Sequence, residues 1–127
     1  MRNFKDLTVW QTAHAMTLTI HEATRSFPKE EFYGLTSQLR RSSASIGANI
    51  AEGSGRRLDA EICRFLRIAR GSASVGKYHR PLAHDLHLLN DARYQDLTRQ
   101  ADGVQRMVTM LIQKLNPAKA VESVAER

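Results

Sequence analysis

The side chains best placed to do chemistry in this sequence are cations. Arg40, Arg41, Arg56, Arg57, Arg64, Arg67, Arg70, Lys77 and Arg80 lie between residues 40 and 80, against only Glu52, Asp59 and Glu61. Basic and acidic residues balance on either side of that window, so the whole formal net charge of +6 resides in one third of the chain. Such a concentration points to a polyanion such as RNA or DNA, or to an acidic protein partner, with a solvated helix face as the plainer alternative. On an ideal helix Arg64, Arg67, Arg70 and Lys77 share an arc of about 140° centred opposite Phe65. Arg56 and Arg57 come just before the start of that helix, where free backbone N–H groups favour an anion. Together with Arg40 and Arg41 these residues form the expected nucleic-acid-binding set. Tyr78 is the one stacking side chain near them, so affinity is expected to depend on salt and to ignore base sequence.

Other candidate chemistry is thinner. His84, His87 and Asp91 have i, i+3, i+7 spacing that could bring metal ligands onto one helix face, but helix-end histidines are more often surface groups, and no metal site is expected. His14 and His21 lack a third ligand nearby in sequence. Cys63 stands one turn before Arg67 without a neighbouring histidine base, which argues against a catalytic thiol. The "GSGRR" at residues 53 to 57 follows a helical pattern instead of a strand and lacks the lysine-hydroxyl pair of a phosphate loop, so it reads as a helix C-cap and turn. No cofactor is expected, and the chain is not expected to be an enzyme.

The elements that carry these residues are helices. Trp10, Ala13, Thr17, Ile20, Thr24 and Phe27 form a first stripe, with Thr8 and Gln11 as a capping box. Leu35, Leu39, Ser42, Ile46, Asn49 and Gly53 form a second, beginning around Glu31. The third starts with Asp59 as its cap and buries Ile62, Phe65, Leu66, Ala69 and Ala73; Pro81 predicts a bend or break between Gly76 and Pro81. Beyond it Leu82, Leu86 and Leu89 resume the pattern. Tyr94, Leu97, Ala101, Val104, Val108, Leu111 and Leu115 keep strict heptad spacing up to Pro117. Four amphipathic helices with short connections predict an all-α, antiparallel up-and-down four-helix bundle over residues 1–116, followed by a C-terminal tail at 117–127.

"SIGANIAEGSGRR", residues 45 to 57, stands out in the second helix for its many small residues. Ala44, Gly47 and Ala51 make a face that a helix of the same bundle or of another subunit could approach closely, and an interior glycine costs roughly 1 kcal/mol against alanine unless packing requires it. Gln38, Asn49 and Glu52 lie at the edge of the core. A buried amide needs hydrogen bonds and a buried carboxylate needs a cation, so a structural polar cluster of Gln38, Asn49, Glu52 and Arg56 is expected.

The phrases "FKDLTVWQTAH", "YGLTSQLRR", "NIAEG" and "RFLRIARGSAS" resemble the four-helix bundle proteins encoded in intervening sequences of bacterial 23S ribosomal RNA genes, from Phe4 to about Ser74. The resemblance implies a ring-like homopentamer. It also implies distant kinship with the accessory protein of diversity-generating retroelements, a basic pentameric bundle that binds nucleic acid and a reverse transcriptase. Four positions depart from the pattern: Gly47 replaces a usual proline, Val75 and Lys77 replace usual glutamates, and Pro81 interrupts a usually continuous helix. If those glutamates pair with arginines of the second helix in relatives, Arg40 or Arg41 is freer here.

With 42% hydrophobic and 25% charged residues in 127, the chain suits one folded domain. It has no apolar run of membrane-spanning length, and its single cysteine suits a reducing compartment, so a cytoplasmic protein is expected. The first reading is a homo-oligomer that presents a basic surface to RNA or DNA, together with a nucleic-acid-processing protein. The second is a protein-interaction scaffold whose cations serve subunit contacts, and the third an enzyme with a site between subunits.

Overall fold

A computed structural model describes residues 3–115. The tail expected at 117–127 lies outside them. Four helices carry the fold: α1 (Thr8–Thr24), α2 (Ser37–Ser54), α3 (Asp59–Asp85) and α4 (Asp91–Leu115), and no strand occurs among the described residues. Each helix packs on the next, and α4 closes back onto α1. The connections α2–α3 and α3–α4 span only a few residues, which makes neighbours antiparallel and confirms the four-helix bundle.

The core follows the predicted periodicity. Ala13, Met16 and Ile20 of α1 meet Leu39, Ile46 and Ile50 of α2, Ile62, Leu66, Ala69 and Ala73 of α3, and Leu97, Ala101, Val104 and Val108 of α4. Cys63 is fully enclosed, with its thiol near the Ile112 carbonyl. The described part of the heptad in α4 holds throughout, with Tyr94, Leu111 and Leu115 half-buried at its ends.

The helix ends differ from expectation. Thr8 and Gln11 form no capping box: Leu7 occupies the N-cap, and the Gln11 amide instead donates to the Lys5 carbonyl at 2.8 Å. Nor does Asp59 cap α3, where Leu58 holds the extended N-cap conformation and Asp59 is already helical. Instead of starting near Glu31, α2 begins at Ser37. A 3-10 turn (Lys29–Glu31) and a wide π turn (Phe32–Thr36) precede it, because Gly34 adopts non-helical angles, φ −103° and ψ −108°. A side-chain cap does form at Asn90, whose Oδ1 accepts the Arg93 N–H at 2.8 Å at the head of α4.

Pro81 breaks nothing. α3 runs unbroken from Asp59 to Asp85 with the proline inside it. Proline removes one N–H, and the carbonyl left without that partner belongs to Lys77, on an exposed turn where water can take its place. Leu89 is buried beyond the helix end, Leu82 is half-buried and Leu86 is exposed, so only part of the expected leucine pattern reaches the core.

α2 approaches α3 closely at Gly53. A Cβ built on Gly53 would lie 2.9 Å from the Phe65 Cβ and 3.4 Å from the Ile62 carbonyl. Gly71, by contrast, faces open space with nothing within 4 Å. Gly53→Ala is therefore expected to cost about 1–3 kcal/mol by forcing the two helices apart. Gly71→Ala should gain about 0.5–1 kcal/mol by removing a flexible residue from a helix interior. Urea unfolding of both variants checks the pair, and equal effects would contradict this packing.

Candidate nucleic-acid interface

The predicted basic residues separate into three groups. On the second helix Arg40 is half-buried, with Nε donating to the buried Thr24 hydroxyl at 2.8 Å, while Arg41 is exposed. Arg40 thus works as a tie between α1 and α2. At the α2–α3 corner Arg56 and Arg64 converge on one ring: their guanidinium carbons lie 4.9 and 4.5 Å from the Phe65 centroid. Arg56 also pairs with Glu52 at 2.5 Å. Arg57 is exposed beside them, but Asp59 and Glu61 occupy the first turn of α3, so the helix start expected to favour an anion already carries its own negative charge.

The third group lies along the α3–α4 seam. Arg70 and Lys77 of α3 face Arg106 of α4 across an open groove of about 540 Å³, with Ser74, Gln105, Thr109 and Met110 completing its walls. No carboxylate lines it. The Gln105 amide bridges the seam, donating through Nε2 to Ser74 Oγ at 3.3 Å, and its Oε1 is buried with no donor among the described residues. Asp102, which lines the adjoining hollow with Arg106, bounds the groove at one end.

The arc of Arg64, Arg67, Arg70 and Lys77 is thus not one continuous stripe. Ile68 and Val75 are 42% and 43% exposed, Gly71 is exposed and Tyr78 is 66% exposed. Their three- and four-residue spacing continues the line that Arg64 begins and makes an apolar seam down the outer face of α3, beside the groove cations. Sequence reasoning missed Arg106, Gln105 and Thr109 because α4 lies in a charge-balanced part of the chain. The available signal was their spacing: Gln105, Arg106 and Thr109 flank the buried Val104 and Val108 on α4.

The expected polar cluster also divides. Asn49 Nδ2 donates to the Ser45 carbonyl at 2.8 Å and to Ser45 Oγ at 3.1 Å, and Ser45 Oγ meets Ser72 Oγ of α3 at 2.9 Å. Glu52 and Arg56 form their own exposed pair, and Gln38 is exposed. The amide thus finds its hydrogen bonds one turn back on the same helix, and the carboxylate its cation one turn ahead. On the small-residue face, Gly47 is buried beneath Trp10 of α1, at 3.5 Å from a built Cβ, whereas Ala44 is exposed and Ala51 half-buried. The close neighbour at Gly47 is therefore a helix of the same bundle.

Against these features the sequence was compared with known proteins. A model of the 23S rRNA-intervening sequence protein family matches residues 5–110. The chain belongs to that family. The match extends well beyond Ser74, where the readable phrases end, and takes in Pro81, the whole α3–α4 connection and most of α4. A search of curated proteins finds no match. In this chain Lys77 lines the groove and Val75 belongs to the apolar seam.

Arg80 is the exception among the cations. It is only 5% exposed, and its Nη1 sits where a Cβ on Gly76 would come within a closer distance than atoms tolerate. No carboxylate stands at ion-pairing distance among the described residues. Burial lowers its pKa, with Asp102 and Tyr94 opposing from further off. His84 is better matched: its Nε2 lies 2.6 Å from Asp91 Oδ1 and its ring stacks on Tyr94, while His87 turns through a left-handed φ of 63° in the α3–α4 connection. No group of three His, Cys, Asp or Glu residues among the described residues is arranged to hold a metal.

An isolated buried cation costs more than an apolar side chain of similar length. Arg80→Met is expected to stabilise the bundle by about 1 kcal/mol or more, read as a higher urea midpoint. A lower midpoint would mean that the guanidinium has a partner its surroundings do not reveal.

Proposed function

We propose that this protein is a non-enzymatic, homo-oligomeric bundle that binds the phosphate backbone of RNA or DNA without regard to base sequence. One observation carries the reading. Of the nine cations between residues 40 and 80, Arg56 alone has a carboxylate at ion-pairing distance among the described residues. Exposed cations without internal partners are free to neutralise phosphates, and the counterions that the polyanion then releases drive association. Arg41, Arg57, Arg64 and Lys77 are exposed, and Arg67 and Arg70 half-exposed, so they remain reachable. In this reading the assembly is a ring of five, as the resemblance implies, which would repeat the basic surface, with a nucleic-acid-processing protein as a second partner in the cytoplasm. No described helix is long and apolar enough to cross a membrane.

A second reading has its own support. The apolar seam of Ile68, Gly71, Val75 and Tyr78 suits a helix of another subunit, with flanking arginines meeting acidic residues there, which makes the protein a scaffold.

Fluorescence anisotropy with labelled RNA and DNA, titrated across salt, separates the readings. In the first, log affinity falls linearly with log salt at about 0.7 to 0.9 per phosphate neutralised, and Arg64→Glu with Arg67→Glu flattens the slope by about one contact or more while native mass is unchanged. In the second, nothing binds at low salt and the same variant dissociates the oligomer.

A further inference from the structure

The α3–α4 groove differs from the rest of the basic surface in ways that a uniform phosphate-binding patch does not require. It is an open depression of about 540 Å³, a volume in the range of small-ligand sites. Its cations come from two helices: Arg70 and Lys77, about 10 Å apart along α3 at the helical rise of 1.5 Å per residue, and Arg106 opposite them. Neutral hydrogen-bonding groups, Ser74, Thr109 and Gln105, stand between them. Met110, 67% exposed, adds an apolar surface that the bundle core does not use.

We propose that this groove seats one nucleotide unit of a single strand, with its phosphate between Arg70, Lys77 and Arg106 and its base or sugar against Met110 and the Arg106 guanidinium plane. The inference rests on the nucleic-acid reading and sharpens it from any polyanion to an unpaired strand. A duplex keeps its bases stacked inside and offers a groove of this kind only phosphates. An unpaired strand can turn a base outward onto a guanidinium plane or an apolar side chain. The absence of any carboxylate in the walls removes the repulsion that would otherwise expel the backbone. Asp102 at one end limits the anionic stretch to the groove itself.

The test compares wild-type protein with Arg106→Ala and Lys77→Glu, one from each wall, and with Arg64→Glu, which lies outside the groove. Affinities for a labelled single-stranded oligonucleotide, in RNA and DNA forms, and for the matching duplex are measured at low salt, with native mass and circular dichroism confirming that each variant keeps its fold. Wild type should prefer the single strand by about tenfold, the value of one stacked base. Either groove variant should abolish that preference while Arg64→Glu leaves it intact. A nucleoside monophosphate should compete for the site better than inorganic phosphate at equal concentration. If wild type binds single strand and duplex equally, or if Arg64→Glu alone weakens binding, the groove assignment falls and the broader reading stands. If wild type binds neither at low salt, both fall.

Discussion

The contact on which the arrangement depends is the close approach of α2 to α3. Gly53 leaves no room for a methyl group against Phe65, and the hydroxyls of Ser45 and Ser72 meet directly between the same two helices. Small side chains on both elements let the backbones come together, and the hydroxyl pair satisfies polar groups that such proximity would otherwise strand. Phe65 is fixed by that contact, and Arg56 and Arg64 are fixed in turn by Phe65. With α3 anchored along one side, its opposite side faces α4, and the seam between them becomes the groove.

The charge distribution follows from the same geometry. Surface carboxylates in this protein tend to pair locally, Glu22 with Arg25, Glu52 with Arg56 and Asp96 with Arg99, each within a turn of its own helix. Short-range pairing of that kind contributes little to stability at exposed sites. It does, however, consume acids that could otherwise have answered the cations of α3. Those cations then repel one another, a modest cost that a bound polyanion would reverse.

Much of this was legible from residue spacing. The heptad of α4 and the stripes of α1 and α2 reappear as the buried core, because a helix exposes its side chains at a fixed angular step and burial acts on that step alone. Polar partnerships were less legible. Asn49 and Glu52 sit one turn apart, and the carboxylate met the expected Arg56 ahead of it, yet the amide turned back to the carbonyl and hydroxyl of Ser45. Spacing along one helix says which residues are neighbours, but not which of two neighbours wins the bond. Pro81 misled for a related reason: the rule that proline breaks helices assumes the orphaned carbonyl has no other recourse, and an exposed turn provides water. Arg106 stayed hidden because its importance comes from facing another helix, which no single-segment pattern encodes.

Arg80 carries a consequence of a different kind. The cations at the surface lose their reach as ionic strength rises, since mobile ions gather around them within about a Debye length. Arg80, only 5% exposed, is largely shielded from those ions by the protein around it. It lies one turn along α3 from Lys77, on the helix that forms one wall of the groove. The electrical character of this molecule therefore has two layers: a changeable outer one set by the surrounding solution, and a permanent inner one built into the fold.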